Sequence, residues 1–216
     1  MSKAVTVIID GREIKAPEGE KLLWAALDNG IYIPNLCAIR EKQHPSGSCR
    51  LCYVQVEGRA EPVTACTLAV KEGLSVQTRS PQVDHLVKRA FELLLSNHRL
   101  GCGRCPRRKS CELLKIAKER GLKMKLFQLA PLEQQVEIDE SAATFAFDRS
   151  RCLLCGRCVW ICREVAKVGA LGFSNRGIDR RVTTFQDRPI GESPCTECSF
   201  CVEACPSGAL YFKENG

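Results

Sequence analysis

The run CLLCGRCVWIC, residues 152–162, sets four thiols into eleven positions, and CTECSFCVEACP repeats the spacing over residues 195–206. The pattern C-x2-C-x2-C-x3-C gathers three sulfurs around one point and carries the fourth away from it. Soft thiolates in this pattern are ligands of four-iron, four-sulfide clusters, and in paired runs the fourth cysteine of each completes the set of the other. One set is then Cys152, Cys155, Cys158 and Cys205; the other is Cys195, Cys198, Cys201 and Cys162. Zinc is the alternative, since its ribbons also use paired C-x2-C, although the triple run is not its habit. A disulfide framework fits poorly. The fifteen cysteines are an odd number, and the opening MSKAVTVIIDGREIKAPEG, charged at Asp10, Arg12 and Glu13, reads as neither a signal peptide nor a twin-arginine leader. The two runs are not identical, because Arg163 stands where the second has Pro206, and a long insert, 163–194, separates them.

Seven further cysteines lie upstream, and the elements around them differ. Cys37, Cys49, Cys52 and Cys66 are spaced x11, x2 and x13. Before them VTVIIDGREIKA predicts a hairpin turning at Asp10-Gly11. GEKLLWAALDNG predicts a helix with Leu22, Leu23, Ala26 and Leu27 on one face, closed by Gly30. CYVQVEG and LSVQT predict short strands, so the first segment is compatible with a β-grasp. Ser80 and Pro81 open a second helix whose apolar stripe is Val83, Leu86, Val87, Ala90, Phe91 and Leu94. At its end comes HRLGCGRCPRRKSC, with His98, Cys102, Cys105 and Cys111 spaced H-x3-C-x2-C-x5-C. GCGRCP begins like a dinucleotide fingerprint, but Pro106 takes the last glycine's place and no strand–turn–helix surrounds it.

GIYIPNLC, SGSCRLCYVQVEG and TACT resemble the ferredoxin-type domain of the large peripheral-arm iron–sulfur subunit of complex I. The same module opens the diaphorase iron–sulfur subunit of NAD-coupled hydrogenases and of related bifurcating oxidoreductases. The resemblance covers nearly the whole chain. It implies a [2Fe–2S] cluster on Cys37, Cys49, Cys52 and Cys66. It implies a [4Fe–4S] cluster on His98, Cys102, Cys105 and Cys111, where the histidine supplies the ligand that three cysteines lack. A lone histidine is more often a satisfied surface or core side chain, so this is the assignment that rests most on the motif. The resulting expectation is an α+β chain: a β-grasp [2Fe–2S] domain over 1–80, a small helical one-histidine/three-cysteine module over 81–125, an irregular connector over 126–147 ending in the strand-like ATFAF, and a bacterial-type 2[4Fe–4S] ferredoxin domain over 148–216. One [2Fe–2S] and three [4Fe–4S] clusters take sixteen ligands, which uses His98 and all fifteen cysteines.

Charge is concentrated in the middle, where residues 81–125 hold 12 Lys/Arg against 4 Asp/Glu. Such a face is a solvated helix surface, a docking surface for an acidic protein, or, with no interleaved aromatics, less readily a nucleic-acid site. No apolar run reaches the roughly 18–20 residues of a membrane-spanning helix, so the expectation is a cytoplasmic protein. No flavin or nicotinamide site and no acid–base or nucleophilic constellation stands out, so no catalytic residue is assigned. The resemblance implies a non-catalytic relay subunit between a flavin/NAD(P)H-binding diaphorase-type partner and a terminal oxidoreductase subunit, with no nucleic-acid partner. A free-standing soluble polyferredoxin is the alternative.

Overall fold

The computed structural model describes residues 3–132 and 137–213. It divides into two compact units, Met1–Phe91 and Glu92–Gly216.

In the first unit, β1 (Ala4–Ile9) points Val5, Val7 and Ile9 inward and pairs antiparallel with β2 (Arg12–Pro17). Asp10 and Gly11 turn the hairpin at φ 51° and 79°, the left-handed pair that a tight two-residue loop requires. The Asp10 carboxylate then accepts from the Thr78 amide (2.7 Å) and hydroxyl (2.6 Å), tying the turn to the end of the strand that runs parallel beside β1. Helix α1 (Leu22–Asp28) buries Leu22, Leu23, Ala25 and Ala26 and is closed by Gly30 at φ 74°. β3 (Tyr53–Val56), β4 (Val63–Thr64) and β5 (Leu74–Gln77) complete a sheet of order β2-β1-β5-β3-β4. Only β1 and β5 run parallel. That order, with one helix packed across it, makes a mixed α/β unit. α1 and the sheet share one core, in which Cys52 and Cys66 are also members.

Helix α2 (Pro81–Ser96) starts where Ser80 Oγ accepts from the Val83 amide at 3.2 Å. Its buried face follows the expected stripe through Val83, Val87, Ala90 and Phe91, then shifts to Glu92 and Leu95, leaving Leu94 half-buried. The shift has a cause within the second unit. The buried Glu92 carboxylate accepts from the amides of Phe127, Gln128 and Leu129 at 2.8, 2.5 and 3.2 Å.

The described residues of the connector form no helix before β6, and specific contacts hold them in place. Leu132 donates to the Ser96 carbonyl at 2.8 Å, Asp139 bridges to Phe147, and the Asp139 carboxylate accepts from the Ile190 amide at 2.8 Å. Residues 133–136 of the expected connector lie outside the described residues. β6 (Phe145–Phe147), read from sequence as the connector's end, pairs antiparallel with β9 (Leu210–Phe212) and so packs with the two cysteine runs. α3 (Glu112–Arg120) precedes β6, and between β6 and β9 lie α4 (Arg157–Glu164), the hairpin β7 (Gly172–Ser174) and β8 (Arg181–Thr183), and α5 (Phe200–Glu203). α5 stops before Cys205-Pro206, while Arg163 lets α4 continue past Cys162. The core of this part holds Phe145, Phe147, Leu171, Val182, Ile190, Val202 and Leu210, with Cys158, Cys162, Cys201 and Cys205 among them.

Candidate metal centres

The first four cysteines are all buried and come together as two pairs. Cys37 and Cys49 lie 3.4 Å apart between sulfurs, and Cys52 lies beside Cys66. Hydrogen bonding with Cys49 holds Cys37 down to about 5, and that with Cys52 lowers Cys66. Cys49 and Cys52 are pushed well up, by the same pairing and by burial. The loop that carries Cys49 is shaped by Gly47 and Arg50, both in the left-handed region.

His98, Cys102, Cys105 and Cys111 line one pocket together with Arg108, Leu114 and Arg151. His98 is buried, and its Nδ1 lies 2.9 Å from the Arg151 carbonyl. A carbonyl can only accept, so Nδ1 carries the proton and the Nε2 lone pair is left free for a metal. Burial lowers the pKa of His98, keeping the imidazole neutral, and raises that of Cys111. This pocket is stitched to the second cysteine run: Glu112 donates to the Pro206 carbonyl at 3.1 Å and Arg107 to the Cys205 carbonyl at 3.1 Å. The backbone of Gly208 passes so close that a Cβ there would sit 2.5 Å from Cys105 Sγ.

The last eight cysteines sort into two sets, and the sets cross. Cys205 lies with Cys152, Cys155 and Cys158, each of which feels its charge. Cys162 lies with Cys195, Cys198 and Cys201, and these four sulfurs share a pocket. The internal repeat extends to the backbone. Leu154 and Glu197, each two residues after the first cysteine of its run, have φ of 52° and return their amides to Cys152 Sγ and Cys195 Sγ at 3.4 Å. Gly156 and Ser199, each following the second cysteine, are left-handed at 76° and 64°. Burial pushes Cys152, Cys155 and Cys201 up to about 12 and raises Cys158 well above the ordinary thiol value. Thiolates held in such surroundings need a strong positive centre to stay ionised, and iron supplies one. Among the described residues, no three His, Cys, Asp or Glu side chains converge as they would on a single metal ion. Two of the donor sets, those of His98 and of Cys162, line pockets of their own, an arrangement that a polynuclear cluster can fill.

Three stretches match known families: residues 2–81 a 2Fe-2S iron-sulfur cluster binding domain, residues 88–125 the NADH-ubiquinone oxidoreductase-G iron-sulfur binding region, and residues 143–211 the ferredoxin-like domain of NADH-quinone oxidoreductase subunit 3. The structure superposes on a chain of an NAD+-reducing [NiFe]-hydrogenase with a TM-score of 0.86 and 32% identity, over 98% of this chain and 88% of that one. The chain belongs to the iron–sulfur subunit family of NADH-quinone oxidoreductases and NAD+-reducing hydrogenases. Members of this family include the alpha subunit of an NADPH-Fe(3+) oxidoreductase from Geobacter sulfurreducens, 33% identical over 209 residues. Another is the NADP-reducing hydrogenase subunit HndD of Solidesulfovibrio fructosivorans, 32% identical over 214 residues. Each match covers 97% of this chain but only 24% and 36% of these relatives, so the chain spans about a quarter to a third of their length. Among the described residues no helix is long and apolar enough to cross a membrane.

Several residues of the centres carry no sequence motif. Arg151, Asp148, Ser207 and Gly208 meet the His98 pocket or its neighbours only through the fold. The one local signal is that Arg151 and Ser207 lie immediately beside cysteine runs.

Proposed function

We propose that this chain is an electron-relay module with one [2Fe–2S] cluster on Cys37, Cys49, Cys52 and Cys66 and three [4Fe–4S] clusters. The three are held by His98, Cys102, Cys105 and Cys111; by Cys152, Cys155, Cys158 and Cys205; and by Cys195, Cys198, Cys201 and Cys162. They occupy three modules, residues 1–80, 81–125 and 148–216, joined by 126–147. The observation that carries the reading is the exchange of Cys162 and Cys205, each of which sits with the three leading cysteines of the other run. The pairing of Cys37 with Cys49 and of Cys52 with Cys66 supports a two-iron centre with two thiolates on each iron.

When bound, such clusters take up and release single electrons. The chain's part is to present the sulfurs as thiolates, to fix His98 as a neutral ligand through the Arg151 carbonyl, and to keep most of the donors away from water. The relay then runs between a flavin/NAD(P)H-binding diaphorase-type subunit and a terminal oxidoreductase subunit of hydrogenase, formate dehydrogenase or transhydrogenase type, or a ferredoxin, in the cytoplasm. The named activities of the relatives support this reading, as they pair nicotinamide cofactors with hydrogenase, quinone or ferric acceptors.

Anaerobic iron and acid-labile sulfide assays test it. The ligand sets hold about 14 iron atoms per chain, from one two-iron and three four-iron clusters. Zinc in place of iron, or iron short by a whole cubane, would refute the assignment.

A further inference from the structure

Arg151 immediately precedes Cys152, yet its side chain turns to a different centre. It is buried and lines the pocket of His98, Cys102, Cys105 and Cys111. We propose that Arg151 is a positioning residue that sets the reduction potential of the His98 centre, through its guanidinium in the pocket that Cys105 lines and its main-chain carbonyl on His98.

The geometry fixes both halves of this role. Arg151 Nε donates to Asp148 Oδ2 at 2.8 Å, and the buried Asp148 is itself held by the Ser150 amide and hydroxyl. That clamp holds the guanidinium in the pocket that Cys105 lines, where Arg151 Nη1 lies 3.7 Å from the Gly208 Cβ position that also faces Cys105 Sγ. The backbone of Gly208 closes the far side, since a Cβ there would lie 2.5 Å from Cys105 Sγ and 3.4 Å from Arg151 Cδ. On the main chain, the Arg151 carbonyl accepts from His98 Nδ1 at 2.9 Å and from the Ser207 hydroxyl at 3.0 Å. One residue therefore sets the orientation of the imidazole and places a fixed positive charge in the pocket of the same set.

The chemistry follows from charge. Reduction adds an electron to the centre, and a cation beside the ligands stabilises the reduced form and raises the potential. A guanidinium is effectively always protonated, so the group brings a positive charge to the pocket.

This inference rests on the assignment of a cluster to His98, Cys102, Cys105 and Cys111, and the experiment separates the two. Cys105→Ala first identifies the signal of that centre by electron paramagnetic resonance; if no signal is lost, the ligand assignment fails. Redox titrations of full-length, cluster-loaded Arg151→Gln, Arg151→Met and Arg151→Lys then read the midpoint of the identified signal. Asp148 keeps Arg99 at 3.3 Å in every variant, so its carboxylate is not left unpaired. The neutral variants should shift the reduction equilibrium about tenfold or more toward the oxidised form, ~59 mV downward for one electron. Arg151→Lys should keep most of the wild-type value, and the midpoints of the two C-terminal centres should move far less. An unmoved midpoint in Gln and Met, or an equal fall in Lys, overturns the proposal. So does loss of the centre from both neutral variants, which would make Arg151 structural only.

Discussion

Replacing Gly208 by alanine should disable one centre and spare the others. Gly208 does not have a positive φ, so an alanine meets no backbone penalty there; the obstacle is purely steric. The added Cβ would lie 2.5 Å from Cys105 Sγ, against an ordinary contact distance of 3.4–4 Å, so about 1 Å of separation must be found. Arg151 Cδ at 3.4 Å blocks the other direction. Overpacking of this kind costs roughly 1–3 kcal/mol when the surroundings can yield. A free thiol rotates away at the low end of that range. A thiolate bound to iron cannot move that far and keep its bond, so the strain falls on the His98 centre. Iron content with electron paramagnetic resonance on anaerobically purified protein should show that one four-iron signal lost or altered, with the [2Fe–2S] and C-terminal signals kept. Gly191→Ala is the control. Its Cβ would meet the Ser141 carbonyl at 2.6 Å, far from any sulfur of the middle set, so it should lower the melting temperature without selecting that centre. A Gly208→Ala protein with full iron and an unchanged His98 signal would refute the reasoning.

Cys162→Ala should remove or degrade the cubane held with Cys195, Cys198 and Cys201 while the [2Fe–2S] and His98 signals persist; simultaneous loss of all paramagnetic signals would instead make the C-terminal part the organiser of the whole chain. His98→Cys should still assemble a four-iron centre, at a lower potential because a thiolate adds negative charge beside iron, whereas His98→Ala should weaken or lose that centre alone. An unchanged midpoint in the cysteine variant, read by potentiometric titration, would remove His98 from the ligand set.

Local chemistry was readable wherever partners are near in sequence. Asp10-Gly11 specifies its turn, Ser80 caps its helix, and the two cysteine runs announce their own repeat. What the sequence withheld depends on partners that only the fold brings together. Leu94 and Leu95 are equally apolar, and the choice between them is made where Glu92 reaches the amides of residues 127–129. ATFAF carries strand character but not the identity of its partner, β9, more than sixty residues away. Gly208 looks like any loop glycine until Cys105 is placed against it. The left-handed Leu154, Glu197 and Ser199 had no glycine or asparagine to betray them. At Leu154 and Glu197 that conformation turns the amide toward a sulfur.

The exchange of Cys162 and Cys205 has a consequence for how the C-terminal part can change over time. Cys162 lies with the three leading cysteines of the second run, so the insert 163–194 leaves from and returns to one group of sulfurs, while Leu171, Val182 and Ile190 seat it in the shared core. Closing a longer loop costs only slightly more entropy, so length added between those anchors leaves the sulfur positions unchanged. The insert bears its own hairpin, β7 and β8, and a charged knot in which Asp187 meets both Arg149 and Arg181 at 2.8 and 2.9 Å. The cysteine runs themselves have no such freedom, because a one-residue slip in either would open both cages at once.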